Sequence, residues 1–265
     1  MILEDISQPA PEPSFLDWND EGVVKLPGFY NTPAGQRLLN AYCDAWQRDN
    51  ANRPGGWPYP TPYLDVPEIQ ALYDPLAPIF EDLLHEPAGL HLNLTGMITT
   101  TRNWHQDSYL NPPHVGDYYI AVWIALDDID PDSGPFQYVP GSHRWPQCTR
   151  EHILEALGPD HHPHNWPTES ERILTPVFEE YMWRMRADVV SYLPKGGDVL
   201  LWHGRLCHRG STANIPGLVR PATIAHLSGI NHRSDMPAAV QRPEGGWIFP
   251  LTTRQPMPYK REAYP

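Results

Sequence analysis

The chain has 265 residues, with 32 acidic against 19 basic side chains, a formal net charge of −13 and a 40% apolar fraction. That charge argues against nucleic acid or an anionic membrane surface as a partner, and no apolar run approaches the roughly 20 residues a spanning helix needs. Cys43, Cys148 and Cys207 show no paired spacing, and the acidic, Pro-rich start MILEDISQPAPEPSF is unlike a signal peptide, so a reducing, cytoplasmic setting is expected.

The 32 prolines disfavour long helices and favour short strands with shaped loops. Residues 1–15 read as a disordered or extended tail, and residues 16–265, with no Gly/Ser linker or charge block to divide them, as one domain. Gly22 to Tyr30 reads as a strand ending in a turn. Thr32-Pro33 is a helix start, a capping hydroxyl followed by Pro at the first helical position, and Leu38, Leu39, Tyr42, Ala45 and Trp46 continue at helical spacing. The loop 51–66, dense in Pro, Gly and aromatics, has the composition of a lid. A second helical pattern from Pro67 to about Leu84 should break near Pro75 and Pro78.

From residue 89 the character turns to strands: Leu90–Leu94, Gly96–Thr101, then the continuous apolar run Tyr118–Leu126 expected of a strand buried on both faces. Pro135–Val139 is a short strand closed by Pro140-Gly141-Ser142. Short strands between such turns suggest a sandwich or barrel. Between about 145 and 190 the pattern fails apart from a short helix at Glu151–Leu157, and the block reads as a lid-like insertion. Within it His161, His162 and His164 form a loop cluster, read as solvated rather than metal-binding. Strands resume at Val189–Tyr192, Asp198–His203 and Arg220–Leu227, with Trp247–Leu251 a further candidate.

The stretch Asn103-Trp104-His105-Gln106-Asp107 carries the chemistry. In a strand, residues i and i+2 face one side, so His105 and Asp107 can grip one metal ion. A third ligand must come from elsewhere, and His208 leads, with His203 in competition. Two histidines and one carboxylate that leave three positions open form the ligand set of non-haem Fe(II) oxygenases.

Four further features stand in order along the chain: Asp128–Pro135 leading into Val139-Pro140-Gly141-Ser142-His143-Arg144; Gly197–His203; His208 with Ser211 and Asn214; and Arg220. The whole set resembles the phytanoyl-CoA dioxygenase family of Fe(II)/2-oxoglutarate oxygenases, from about residue 20 to 230. The resemblance implies a mainly β fold with flanking helices, a double-stranded β-helix or jelly roll. It implies Fe(II) on His105, Asp107 and His208, with 2-oxoglutarate and O₂ as cosubstrates. Arg220, twelve residues after His208, takes the place of the family's anchor for the distal carboxylate of 2-oxoglutarate. Ser211 is the candidate assisting hydroxyl, although relatives more often carry it where this chain has Gly210. Arg220 suits its task physically, because a guanidinium is always charged and binds a carboxylate bidentately.

Arg102, Tyr109, Asn111, Trp123, Arg144 and Arg205 lie near the motifs and are candidates for a substrate pocket, with His143 reaching in and His203 lining it or making a core hydrogen bond. The expected activity is hydroxylation of a C–H bond of a small molecule, amino-acid-like or a natural-product intermediate, with release of succinate and CO₂. An acyl-CoA or carrier-tethered acyl substrate, a non-catalytic jelly-roll module that binds a metabolite, and a metal-only cupin-type enzyme are the alternatives. Related halogenases lack the carboxylate at the position of Asp107, so its presence favours hydroxylation over chlorination. The sequence leaves the prime substrate and the oligomeric state open.

Overall fold

The computed structural model describes residues 15–51, 57, 60–99, 101–158 and 166–251. The expected tail up to residue 14, much of the 51–66 loop and the cluster His161, His162 and His164 fall outside the described residues.

The chain begins with α1 (Phe15–Asp20), β1 (Val23–Leu26) and α2 (Pro33–Asn50). Thr32 caps α2 as its sequence implies, accepting the Gly35 amide, with Pro33 at the first position. The second helical pattern divides where its prolines require: α3 (Pro67–Tyr73), a 3-10 turn over Asp74–Leu76, then α4 (Ala77–Leu84). Next come β2 (Ala88–Ile98), β3 (Tyr119–Ala125), β4 (Phe136–Tyr138), α5 (Arg150–Leu157), α6 (Trp166–Met185), β5 (Val190–Tyr192), β6 (Val199–His203), β7 (His208–Gly210), β8 (Val219–Gly229), β9 (Val240–Arg242) and β10 (Gly245–Ile248).

The strands form two sheets. The larger has the order β1-β6-β3-β8-β2-β10-β9 and the smaller the order β5-β4-β7. Facing each other they make the double-stranded β-helix. The central strands β3, β6 and β8 are buried on both faces, and alternation along them separates two environments. Ile120, Val122, Ile124, Leu201, Ala225 and Leu227 pack with residues of α2, α3 and α4. Ala121, Trp123, Leu200, Trp202 and Ala222 turn the other way, toward Phe136 and Tyr138 of the small sheet.

Buried phenols fasten the helices to the back of the large sheet. Tyr42 donates to Thr223 at 2.7 Å, Tyr73 lies 2.9 Å from the same hydroxyl, and Asn93 donates to it at 2.9 Å.

The block 145–190 is more regular than its sequence suggests. Most of its second half is α6, a 20-residue helix that keeps Pro176 in its interior. Trp166, Ser170, Leu174 and Phe178 are all buried at a four-residue spacing, with Glu171 beside them. The stripe is helical, but Ser170 and Glu171 sit where apolar residues are expected and Pro176 interrupts the pattern. Trp166, Leu174 and Phe178 pack against Trp104, Tyr109, Val139, Ile153 and Cys207.

Candidate metal centre

His105, Asp107 and His208 come together inside the fold, with one donor atom from each lying within 4.8 Å of the other two. Their placement differs in one respect from the strand expected over 103–107. His105 forms an isolated antiparallel bridge with His208, and Asp107 opens a 3-10 turn over Asp107–Leu110. The two imidazoles therefore come from paired backbone, and the carboxylate is swung in by a turn.

The ring orientations suit a metal. Nδ1 of His105 lies 2.6 Å from the Asn103 carbonyl, and Nδ1 of His208 lies 2.9 Å from the Leu206 carbonyl. A carbonyl only accepts, so each Nδ1 carries the proton and each Nε2 presents a lone pair. Those Nε2 atoms stand 3.6 and 3.7 Å from the two oxygens of Asp107. Burial pushes the His208 imidazole down to about 3, keeping it neutral. Burial opposes ionisation of Asp107, but His208 and His105 together hold its carboxyl well below the ordinary range. An ionised carboxylate and imidazoles that keep Nε2 free are the forms that bind a divalent metal. The donor set fits Fe(II) and leaves three positions for other ligands.

Trp202 completes the support. Its Nε1 donates to Asp107 Oδ2 at 3.2 Å, and its ring packs 5.3 Å from that of His208. Sequence reading gave Trp202 no part, although alternation along β6 places it on the inner face. Phe136 packs on His208 from the small sheet, with ring centroids 5.2 Å apart.

Arg220 projects from β8 on the face shared with Ala222, Ile224 and His226. It is 7% exposed, lies 6.0 Å from the Trp123 ring, and makes no hydrogen bond or ion pair with any described residue. Burial pushes its guanidinium down to about 10. A buried cation without a protein counter-charge is costly unless a ligand supplies the anion. The distal carboxylate of 2-oxoglutarate fits this requirement.

Other expected pocket residues divide. Arg102, Tyr109 and Asn111 lie at the metal centre. Arg102 pairs with Glu171 of α6, which also accepts from Tyr109 at 3.1 Å, and the Tyr109 ring packs edge-on to His105. Asn111 donates to the Asp107 carbonyl at 3.3 Å and accepts from Arg233 at 2.6 Å. Trp123 stands with Arg220 rather than at the mouth. Glu171 and Arg233 escaped sequence reading because nothing local marks them.

Five expected residues lie elsewhere. Ser211 is one residue out of phase with His208 and Gly210. Its hydroxyl donates to the Pro135 carbonyl at 2.7 Å, and it lines an outer cleft with Arg209 and Gln137. His203 follows Trp202 and so points to the opposite face of β6. There its ring packs 5.3 Å from both Trp18 and His143, and its Nδ1 accepts the Arg205 amide at 3.0 Å. His143 bonds the Asn19 carbonyl at 3.1 Å, and Arg144 donates to the carbonyls of Asn19 and Asp20. Arg205 pairs with Asp117 at 2.9 Å. His203, His143 and Arg144 tie α1 to the barrel.

The geometry agrees with the comparisons. The family model described as phytanoyl-CoA dioxygenase matches residues 74–220, whereas no curated protein matches the chain. Among solved structures, EctD from S. alaskensis in its apo form superposes with a TM-score of 0.63 at 19% identity, over 95% of this chain and 90% of that one. The non-haem alpha-ketoglutarate-dependent carbocyclase SnoK from nogalamycin biosynthesis gives 0.61 at 19% identity, over 92% and 97%. The epimerase SnoN, in complex with Fe³⁺, alpha-ketoglutarate and nogalamycin RO, gives 0.57 at 19% identity, over 90% and 94%. No described helix is long and apolar enough to cross a membrane. The match to the family model spans more than half of the chain, and the chain thus belongs to the phytanoyl-CoA dioxygenase family of oxygenases that use Fe(II) and 2-oxoglutarate.

Proposed function

We propose that this protein hydroxylates a C–H bond of a small molecule, amino-acid-like or a natural-product intermediate, while 2-oxoglutarate is converted to succinate and CO₂. In this reading His105, Asp107 and His208 hold Fe(II), and Arg220 holds the distal carboxylate of 2-oxoglutarate. The observation that carries it is the Arg220 guanidinium, buried on the inner face with no counter-charge from the described residues. Bound Fe(II), with 2-oxoglutarate and O₂, supplies the oxidant that removes hydrogen from the substrate carbon.

The side chains do the rest. Trp202 fixes one Asp107 oxygen, so the carboxylate is held in one orientation. With Fe(II) bound, Asp107 would occupy the position that related halogenases leave to chloride, which favours oxygen transfer over chlorination. Trp123 and Phe136 exclude water from the space between the sheets. The three cysteines are free thiols, consistent with the cytoplasmic setting that we assign.

The test is an incubation with Fe(II), ascorbate, 2-oxoglutarate and a metabolite library in chloride buffer under ¹⁸O₂, read by mass spectrometry. Succinate formation together with a product that has gained one labelled oxygen is the expected result. A chlorinated product would overturn the role given to Asp107. Loss of two hydrogens without added oxygen would show desaturation or ring closure in place of hydroxylation.

A further inference from the structure

Beside the metal centre lies a set of buried polar side chains that neither metal binding nor the Arg220 site uses. His226, on the inner face of β8, is 8% exposed; burial pushes its imidazole down, and it also feels the charges of Asp107 and Arg102. Its Nδ1 is hydrogen-bonded to the Tyr119 hydroxyl. Burial holds that phenol well above its ordinary range, so it keeps its proton. The Asn111 side chain lies beside the phenol. The Asn111 carbonyl oxygen is taken by Arg233 at 2.6 Å, and Arg233 is itself fixed by Asp235 at 3.0 and 2.9 Å. The Asn111 side-chain N–H donates to the Asp107 carbonyl at 3.3 Å.

Among the described residues the Tyr119 hydroxyl meets no acceptor besides His226 Nδ1, so its proton goes to that nitrogen; the reverse arrangement would strand a buried O–H. A neutral ring that accepts at Nδ1 carries its proton on Nε2. That Nε2–H donates to no described residue. On β8, His226 and Arg220 share a face six residues apart, roughly 20 Å at about 3.3 Å per residue. His226 thus stands well away from the carboxylate anchor.

We propose that His226 Nε2–H recognises the substrate by donating to an acceptor oxygen, a hydroxyl, carbonyl or ether, near the carbon that reacts. The proposal rests on the site reading above and names the substrate class: an oxygen-bearing small molecule, not a plain acyl chain. A substrate with only methylenes at that point leaves the donor unpaired, and a site built around a hydrogen bond discriminates strongly against such an analogue. Tyr119 acts as a positioning residue by fixing the tautomer.

The test uses the full chain labelled with ¹⁵N-histidine and loaded with diamagnetic Zn(II). The His226 signals are identified by their loss in His226→Gln. A neutral ring protonated at Nε2 is expected in wild type, with a mixture of tautomers in Tyr119→Phe. Cyclohexanol or cyclohexanone should shift the Nε2–H resonance, and methylcyclohexane should not. An Nδ1–H tautomer in wild type, equal responses to all three probes, or a shift on adding 2-oxoglutarate alone would each overturn the proposal. The anaerobic Fe(II)–2-oxoglutarate absorption band reads the underlying site separately. It is expected in wild type and His226→Gln alike; its absence from wild type overturns both readings, whereas its presence beside a failed tautomer result overturns this one alone.

Discussion

His105 and His208 exchange both of their backbone hydrogen bonds, at 3.1 and 2.9 Å, so two candidate ligands far apart in sequence are set directly opposite each other by the main chain. In such a pair the side chains emerge on the same side of the ladder, and here the rings stand 4.3 Å apart. Their spacing is a property of the sheet and owes little to loop conformation.

His208→Ala should therefore lose most Fe(II) binding while His203→Ala keeps it, since only the first removes an inward-facing imidazole. Iron stoichiometry after anaerobic loading distinguishes them. Full occupancy in His208→Ala would mean that the metal is held by other groups.

Arg220→Leu should retain iron but lose the visible charge-transfer band that 2-oxoglutarate produces with Fe(II). It should also raise the melting temperature of the ligand-free protein, because a buried unpaired cation is replaced by an apolar side chain. Removing a buried charge that no partner compensates relieves its desolvation cost, and each kcal/mol gained corresponds to roughly 2–4 °C in a chain of this size. Thermal denaturation with and without 2-oxoglutarate checks both halves. A destabilised variant would show that Arg220 has a structural partner.

Trp202→Phe keeps the ring's packing and deletes the N–H that holds Asp107 Oδ2. Removing a supporting hydrogen bond of this kind costs about 10–100-fold in metal affinity. Competition with a chelator measures the change. An unaltered affinity would show that the Asp107 orientation is set by the turn alone.

Acid should destabilise the protein through its buried imidazoles. Burial pushes His203 down to about 3, with His143 adding to the effect. Between about 6.5 and 3 the unfolded chain binds a proton that the folded chain refuses, so stability is full above this window and falls as the pH drops through it. His203→Asn, which keeps a side-chain acceptor near the Arg205 amide, should flatten that fall. Urea denaturation at pH 7 and pH 4.5 tests it, and equal losses in both proteins would refute the assignment.

The fold was legible where local chemistry is strong. Thr32-Pro33 marks the start of α2, Pro75 marks the break between α3 and α4, and the apolar run at 118–126 marks β3. The residues brought together at the metal centre were legible because His105 and Asp107 sit close in sequence and His208 lies a fixed distance from Arg220. Where reading failed, the missing information was phase or long-range contact. Ser211 carries the right functional group but is one residue off the inward face, whereas His203 makes the core hydrogen bond that its sequence reading allowed. Glu171, Arg233 and Tyr119 gain their roles only from partners far along the chain. The helix α6 was hidden because its buried stripe includes a serine and a glutamate.

Strand β8 leaves two separate records along one segment of chain. Its even-numbered residues Arg220, Ala222, Ile224 and His226 share the inner face, whereas Thr223 receives the hydroxyls that anchor α2 and α3. Drift in substrate preference can therefore accumulate at Ile224 and His226 without disturbing the hydroxyl cluster around Thr223. For directed evolution, a library confined to Ile224 and His226 explores new selectivity, while the intervening positions, and the buried Ser228 that bonds His91 and Arg233, serve as a stability reserve to be left untouched.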